Sequence, residues 1–507
     1  MSDKRTGRPG DKRPALDMPP EEFRALGHDL VDQIADFYAS LSSRKISSGL
    51  DLNAVQAVLG SADLPEEGTD PAALLAETAP LLFDHSLHNG HPRFMGYITS
   101  SAAPLGVLAD ALAAAVNPNL ARWEIAPVAS EIESRAVAWV AELLGYEPFA
   151  NGLMASGGNV ANLLAFIAAR RSILPWDVRK DGQYADPRRP TVYVSAQTHT
   201  WVDKAADVCG LGAEGIRWID SDGEGRMRMD RLRSQITADR RDGRLPFLVV
   251  GTAGSTGLGV VDPLREIAVL AREEGLWFHV DGAYGAPAAV LPEAPADLHE
   301  LSLADSVAID PHKWLYCPIE AACVVTRHPD ALREAFHFEP NYYRMSGRKA
   351  SGTNYYELGL QNTRGFRALK VWLMMRAVGR SGYRDMIRED IQLAERLYER
   401  VDAHPEFAAH SVNLSITTFR FVPEDLATRE SPEVADYLNK LNESLLAETQ
   451  AGGELFLTNA VADGHYLLRA CIVNFRTTNA DIDAIPGLVA EAGRNLDASL
   501  RPEHLAT

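Results

Sequence analysis

The chain runs to 507 residues, too long for one small core, so a large domain with smaller flanking pieces is expected. Its 50 basic and 69 acidic side chains give a net charge of −19, which favours solubility and argues against a nucleic-acid surface. No apolar run reaches membrane-spanning length and the N-terminus lacks the short hydrophobic core of a signal peptide, so the reading is a cytoplasmic protein with no membrane partner. Cys209, Cys317, Cys323 and Cys471 are widely scattered without a CxxC pair. That pattern indicates neither a disulfide framework nor a zinc site, and the four read as reduced core thiols.

Residues 1–19 carry Lys4, Arg5, Arg8, Lys12 and Arg13 among Gly and Pro and read as a disordered tail. From Pro20 the apolar positions Phe23, Leu26, Leu30, Ile34 and Phe37 recur at helical spacing. Such an amphipathic helix needs a partner surface, and residues 20–103 are read as an N-terminal helical dimerisation segment. His85, His88 and His91 stand three residues apart, but Asn89-Gly90 is a turn signal that breaks any helix between them. No metal site is assigned. From residue 104 to about 371, apolar strands (Thr191 to Ser195, Phe247 to Gly251, Leu276 to Asp281, Ala321 to Thr326) alternate with helical stretches, the pattern of a mostly parallel α/β sheet with crossover helices. Residues 372–507 read as a smaller α+β domain.

The most informative stretch is Asp310-Pro311-His312-Lys313-Trp314. It follows the apolar run Ser306-Val307-Ala308-Ile309, which reads as a buried strand that Pro311 stops. Lys313 therefore sits at a sheet exit, where desolvation would depress its pKa and free the amine to attack an aldehyde such as pyridoxal phosphate (PLP). Upstream, the strand Leu276 to Asp281 ends in a carboxylate at the sheet edge where ligands bind in open α/β folds. A buried aspartate beside the pyridine nitrogen keeps that nitrogen protonated, which is the condition for the ring to act as an electron sink. Ala155-Ser156-Gly157-Gly158-Asn159 leads into a helical run from Val160 to Arg170. Backbone N–H groups at such a helix opening suit a phosphate. His199 lies just past the strand Thr191 to Ser195, again at a sheet end.

Taken in order, the opening helix, His91-Pro92-Arg93-Phe94, Ala126-Pro127 to Glu133, the Ser156-Gly157-Gly158 loop, Trp277 to Tyr284 and Asp310 to Trp314 resemble the group II PLP-dependent amino-acid decarboxylases. That family includes the aromatic-L-amino-acid, glutamate and sulfinoalanine decarboxylases. The resemblance implies a fold type I architecture, with a central mostly parallel sheet, an N-terminal helical segment and a small C-terminal α+β domain, assembled as a homodimer. It also implies that Lys313 holds PLP, that His199 stacks on its ring, that Thr256 of Gly254-Ser255-Thr256 places a hydroxyl near it, and that Ala283 leaves room for it. His312 is carried over as a further cofactor contact, with Gly158 and Asn159. Relatives usually carry Ser-Glu after the two glycines, where this chain has Asn159-Val160, so the backbone cradle survives and a side-chain hydroxyl contact does not.

Counted forward from Lys313, Tyr342 falls where decarboxylases of the family carry the tyrosine that reprotonates the substrate carbon; Tyr343 is the alternative if the register slips by one. Both lie in a polar stretch with Gly347 and Gly352, a composition fit for a lid. Related aldehyde synthases have phenylalanine at the tyrosine position. The expected reaction is loss of carbon dioxide from an L-amino acid to leave its amine. Tyr97-Ile98-Thr99-Ser100 stands where the aromatic branch often has Tyr-Phe-Pro-Thr, and the run from Asn117 to Pro127, with Arg122, looks nearer the glutamate and sulfinoalanine branch, while the terminal helices look like the aromatic branch. Aromatic amino acids rank first and acidic ones second; an aldehyde synthase or aminotransferase of the same fold is the further alternative. Arg469 looks like an arginine found near substrate in several branches, and Arg364 precedes a helix start, a structural place.

Overall fold

The computed structural model describes residues 16–60, 63–183, 185–338 and 352–505. Its centre is a seven-stranded sheet of β1 (Asn151–Ala155), β2 (Pro190–Ser195), β3 (Ile216–Ile219), β4 (Leu245–Thr252), β5 (Trp277–Asp281), β6 (Ser306–Ile309) and β7 (Ala322–Thr326), in the order β1-β7-β6-β5-β4-β2-β3. The run β6-β5-β4-β2-β3 is parallel, and β7 is antiparallel to both its neighbours. The mostly parallel sheet expected from the alternating pattern is the one found.

Strands covered on both faces read as continuous apolar runs, and their side chains alternate between two cores. Leu248, Val250 and Trp277 join Phe166, Trp201 and Val202 on one face. Val249, Phe278 and Val280 join Leu264, Ile267 and Val307 on the other. Of the expected strands, Ser306 to Ile309 has its observed limits, and Leu276 precedes its strand by one residue. Strands β1 and β3 were not anticipated. The first holds Asn151 and Gly152, the second is a four-residue edge strand interrupted by Arg217, and neither makes an apolar run.

A second, four-stranded antiparallel sheet has the order β10-β11-β9-β8, from β8 (Phe407–Asn413), β9 (Ile416–Phe421), β10 (Thr458–Ala462) and β11 (His465–Cys471). Helices Pro432–Gly452 and Asn479–Leu500 cover one face of it, giving the small C-terminal α+β part. The long helix Ala368–Asp402 links the two sheets and breaks at Gly379, whose φ of 68° is left-handed. Its Val371, Met374 and Ile387 pack into the large core, and Leu393, Leu397 and Val401 into the C-terminal one. At the other end of the chain, helix Pro20–Ser40 buries none of its residues. Phe37 does stack on Phe83 of helix Pro71–His85, with ring centroids 4.7 Å apart.

Candidate active site

The carboxyl ends of the parallel strands deliver side chains to one place. Asp281 closes β5, in register with Thr252 of β4 and Ala308 of β6. Its carboxylate is buried, accepting the Trp201 indole N–H at 2.8 Å on Oδ2 and the Ala283 backbone N–H at 3.2 Å on Oδ1. After β6 the chain turns, with Asp310 N–H bonded to Ala283 O and Lys313 N–H to Asp310 O. This brings Lys313 Nζ to 3.1 Å from Asp310 Oδ2. The desolvated setting expected for this lysine is thus an ion pair across the turn.

From β1 the chain passes Ser156 to Gly157, whose φ of 82° is left-handed, and enters helix Gly158–Ile173. Val160 and Ala161 N–H bond to Gly157 O, so the open donors of the first turn are those of Gly158 and Asn159. A Cβ at Gly158 would lie 2.6 Å from Asp310 Oδ2, so only glycine lets this helix approach the Lys313 turn. From β2 comes His199, exposed in the cleft. Its Nδ1 accepts the Trp201 backbone N–H at 3.2 Å, which leaves the proton on Nε2. Its pKa is lowered chiefly by loss of hydration; Asp281 opposes this and Lys313 adds to it. The imidazole is therefore neutral at pH 7.

These groups enclose a cavity of about 370 Å³, within the range of small-molecule sites, lined by Gly158, Asn159, His199, Thr256, Asp281, Ala283 and Lys313. All seven were singled out from the sequence. Two larger hollows, of about 550 and 530 Å³, lie elsewhere, and neither is lined by a lysine. His312 stands outside the lining. Its Nδ1 is 2.6 Å from Ala321 O and its Nε2 is 3.7 Å from Asp310 Oδ2. Tyr342 and Tyr343 fall outside the described residues.

Arg364 is buried in a bidentate pair with Glu133, with N–O distances of 3.1 and 2.5 Å, and it also bonds Met154 O. Arg122 lies 3.7 Å from Glu124. Arg469 is buried with Nη1 on Tyr97 O and Thr458 Oγ1, while its Nε and Nη2 have no hydrogen-bond partner among the described residues. The His88 ring bonds the Lys45 and Phe83 carbonyls, and no group of three His, Cys, Asp or Glu that could hold a metal occurs among the described residues.

Three participants escaped the sequence reading. Trp201 supplies the main donor to Asp281. Asn162, one turn into the helix from Gly158, lines the cavity and accepts at Oδ1 from His279 Nε2 at 2.7 Å. Behind it Ser306 Oγ lies 2.9 Å from His279 Nδ1 and accepts the Trp277 indole N–H. Burial lowers the His279 pKa to about 4, so the ring is neutral and can join this chain as donor and acceptor at once. The third is the Asp310 carboxylate, buried with Oδ1 unpartnered among the described residues. A polar residue flanked by Val160, Ala161, Leu163 and Leu164 was the available signal for Asn162.

The residues present fit PLP. A cradle that a Cβ would fill at Gly158, a helix opening with free N–H groups, a lysine and a buried carboxylate together supply the donors, the amine and the acceptor that a phosphorylated, aldehyde-bearing pyridine requires. Fold and cleft define a PLP-dependent enzyme of fold type I. The conserved domain of pyridoxal-dependent decarboxylases matches residues 56–422. The aromatic-L-amino-acid decarboxylase of Bacillus atrophaeus is 34% identical, over 92% of this chain and 94% of the relative. Phenylacetaldehyde synthase of a Rosa hybrid cultivar is 28% identical, over 90% and 91%. The solved structure of mouse CSAD in apo form superposes with a TM-score of 0.88 at 26% identity, over 94% of this chain and 99% of that one. The chain belongs to the pyridoxal-dependent decarboxylase family and is a PLP-dependent amino-acid carboxy-lyase.

Proposed function

We propose that the protein decarboxylates an aromatic L-amino acid to its amine, with Lys313, Asp281 and His199 as the working groups of the cleft. The observation that carries this is the convergence of Lys313, Asp281 and the Gly158 helix opening on one cavity; the aromatic preference rests on the Bacillus relative. PLP, when bound, supplies an electron sink for the pair released as the carboxylate leaves. Lys313 would hold the cofactor covalently, Gly158 and Asn159 would take its phosphate, and Thr256 and Ala283 would leave room for it. Asp281 would keep a proton on the pyridine nitrogen; its two donors, Trp201 and Ala283, hold the carboxylate in place. His199 would cover the ring and orient the substrate carboxylate. Tyr342, or Tyr343, returns a proton to the substrate Cα.

The division into a tail to residue 19, a helical segment 20–103, a cofactor-binding unit 104–371 and a C-terminal unit 372–507 is part of this reading, supported by the two sheets falling on either side of the last boundary. So are a homodimer, supported by helix Pro20–Ser40 burying none of its residues fully among the described ones, and a cytoplasmic setting, supported by four buried free thiols. A second reading, an acidic amino-acid substrate, has one feature on its side: the Arg469 guanidinium is buried with two nitrogens lacking acceptors among the described residues, although Arg469 is not among the residues that line the cavity.

A panel of aromatic and acidic amino acids, assayed with PLP for carbon dioxide, amine and hydrogen peroxide, separates these readings. Amine from aromatic substrates without peroxide is expected. Turnover confined to glutamate, aspartate or sulfinoalanine selects the second reading, and peroxide with aldehyde selects an oxygen-dependent synthase.

A further inference from the structure

Asp390 lies on the long helix Ala368–Asp402, beyond its break at Gly379, and is 2% exposed. It lines no cavity described above. Its Oδ2 accepts two hydrogen bonds, from the Trp314 indole N–H at 2.8 Å and from the Tyr316 hydroxyl at 2.7 Å. Both donors fall within three residues of Lys313 and both are fully buried. From the same helix the Tyr383 hydroxyl donates to Leu315 O at 3.4 Å. One helix therefore grips all three residues that follow the lysine.

The grip reaches the cleft by two routes. Trp314 stacks on Tyr284, ring centroids 4.9 Å apart and planes at 18°, and Tyr284 lines the cavity three residues past Asp281. Tyr316 holds a φ of 57°, a left-handed conformation that a bulky side chain adopts only when its surroundings impose it. Without a partner for its hydroxyl the turn would be free to relax, carrying the Lys313 backbone with it. A long lysine side chain tolerates small displacements of its anchor, yet the plane in which it presents a bound ring does not.

We propose that Asp390 is a positioning residue for Lys313, fixing the backbone from which the lysine projects through its paired bonds to Trp314 and Tyr316. The carboxylate oxygen suits the role because it accepts two donors at once. Apolar replacement would orphan an indole N–H and a phenol together. Burial raises the Asp390 pKa to about 7, with the Tyr316 and Trp314 bonds opposing.

The inference rests on Lys313 being the cofactor lysine, a reading whose own failure would appear as a borohydride-trapped adduct surviving in Lys313→Ala. The test uses PLP-loaded Asp390→Asn and Asp390→Leu, read by circular dichroism in the visible band of the lysine-bound cofactor and by kcat and KM well below the melting temperature. In Asp390→Leu a changed dichroic amplitude is expected, with kcat down roughly 10- to 100-fold and KM within about twofold. Asp390→Asn keeps an oxygen that can accept both donors and should restore most of the signal. Should Asp390→Leu fail to fold, Trp314→Phe and Tyr316→Phe each remove one donor while keeping a ring, and each should move the dichroic band part of the way. Wild-type dichroism and kcat in a folded Asp390→Leu, or in both single-donor variants, would overturn the inference.

Discussion

Asp281 is buried yet carries two donors, which is how a carboxylate tolerates a site shielded from water. Asp281→Asn keeps the size and one acceptor but removes the charge that would hold a proton on a pyridine nitrogen. Turnover per bound cofactor should fall by ~100-fold or more while cofactor content changes far less, measured as kcat against PLP absorbance. Near-normal turnover would remove the electron-sink role. Lys313→Ala should in turn abolish the borohydride-trapped adduct, read by mass spectrometry; an adduct at another lysine would reassign the anchor. The placement of residues at strand ends was legible from the sequence. Asp281 and Lys313 each stand just past an apolar run, and Gly158 opens a helix. Trp201 and Asn162 were not, because their importance lies in which face of a helix meets Asp281 or His279, a matter of packing between elements distant in sequence.

At the scale of elements, the Arg364–Glu133 pair ties the stretch before helix Ala368–Asp402 to helix Pro127–Leu143 and to Met154 at the end of β1. Arg364→Met would leave Glu133 buried and unpaired, costing about 3–5 kcal/mol in urea unfolding, and adding Glu133→Leu should recover much of that loss. Equal loss in single and double variants would show that packing, not the stranded charge, sets the cost. Asp262 shows the opposite balance. Fully buried, it accepts the Met227 and Thr252 backbone N–H groups, and burial raises its pKa from 3.8 to about 6. The folded state then binds more protons than the unfolded one between those values, so its contribution falls as pH rises through that window and levels off above it. Asp262→Asn should flatten the slope of unfolding free energy between pH 4 and 6, and an unchanged slope would assign it to other groups. Besides β1 and β3, the reversal of β7 was not read in advance. Twelve residues separate Ile309 from Ala322 and hold no crossover helix of the kind that usually joins parallel strands, and that return is the segment carrying Lys313.

For the molecule as a whole, the open question is what covers helix Pro20–Ser40. Its helical apolar period was plain in the sequence, but the surface it meets was not, since periodicity identifies a face and not its partner. Among the described residues the face is only partly covered: Leu26, Leu30, Ile34 and Phe37 are half-buried, Phe23 is 68% exposed, and Leu108, Leu112 and Val116 of helix Pro104–Val116 are likewise exposed. A second copy of the chain is the occupant proposed above, and a two-fold assembly makes a quantitative demand on it. In an isologous interface every substitution occurs twice. Replacing Phe23 by Asp removes roughly 2 kcal/mol of apolar burial per site, hence about 4 kcal/mol per dimer, which corresponds to roughly a thousandfold weaker dissociation constant. Sedimentation over a concentration series should therefore find the parent a dimer and Phe23→Asp shifted to monomer at micromolar protein, with the circular dichroism of the fold retained. A parent that sediments as a monomer, or a variant with unchanged dissociation, would mean that the helix is covered by something other than a second subunit.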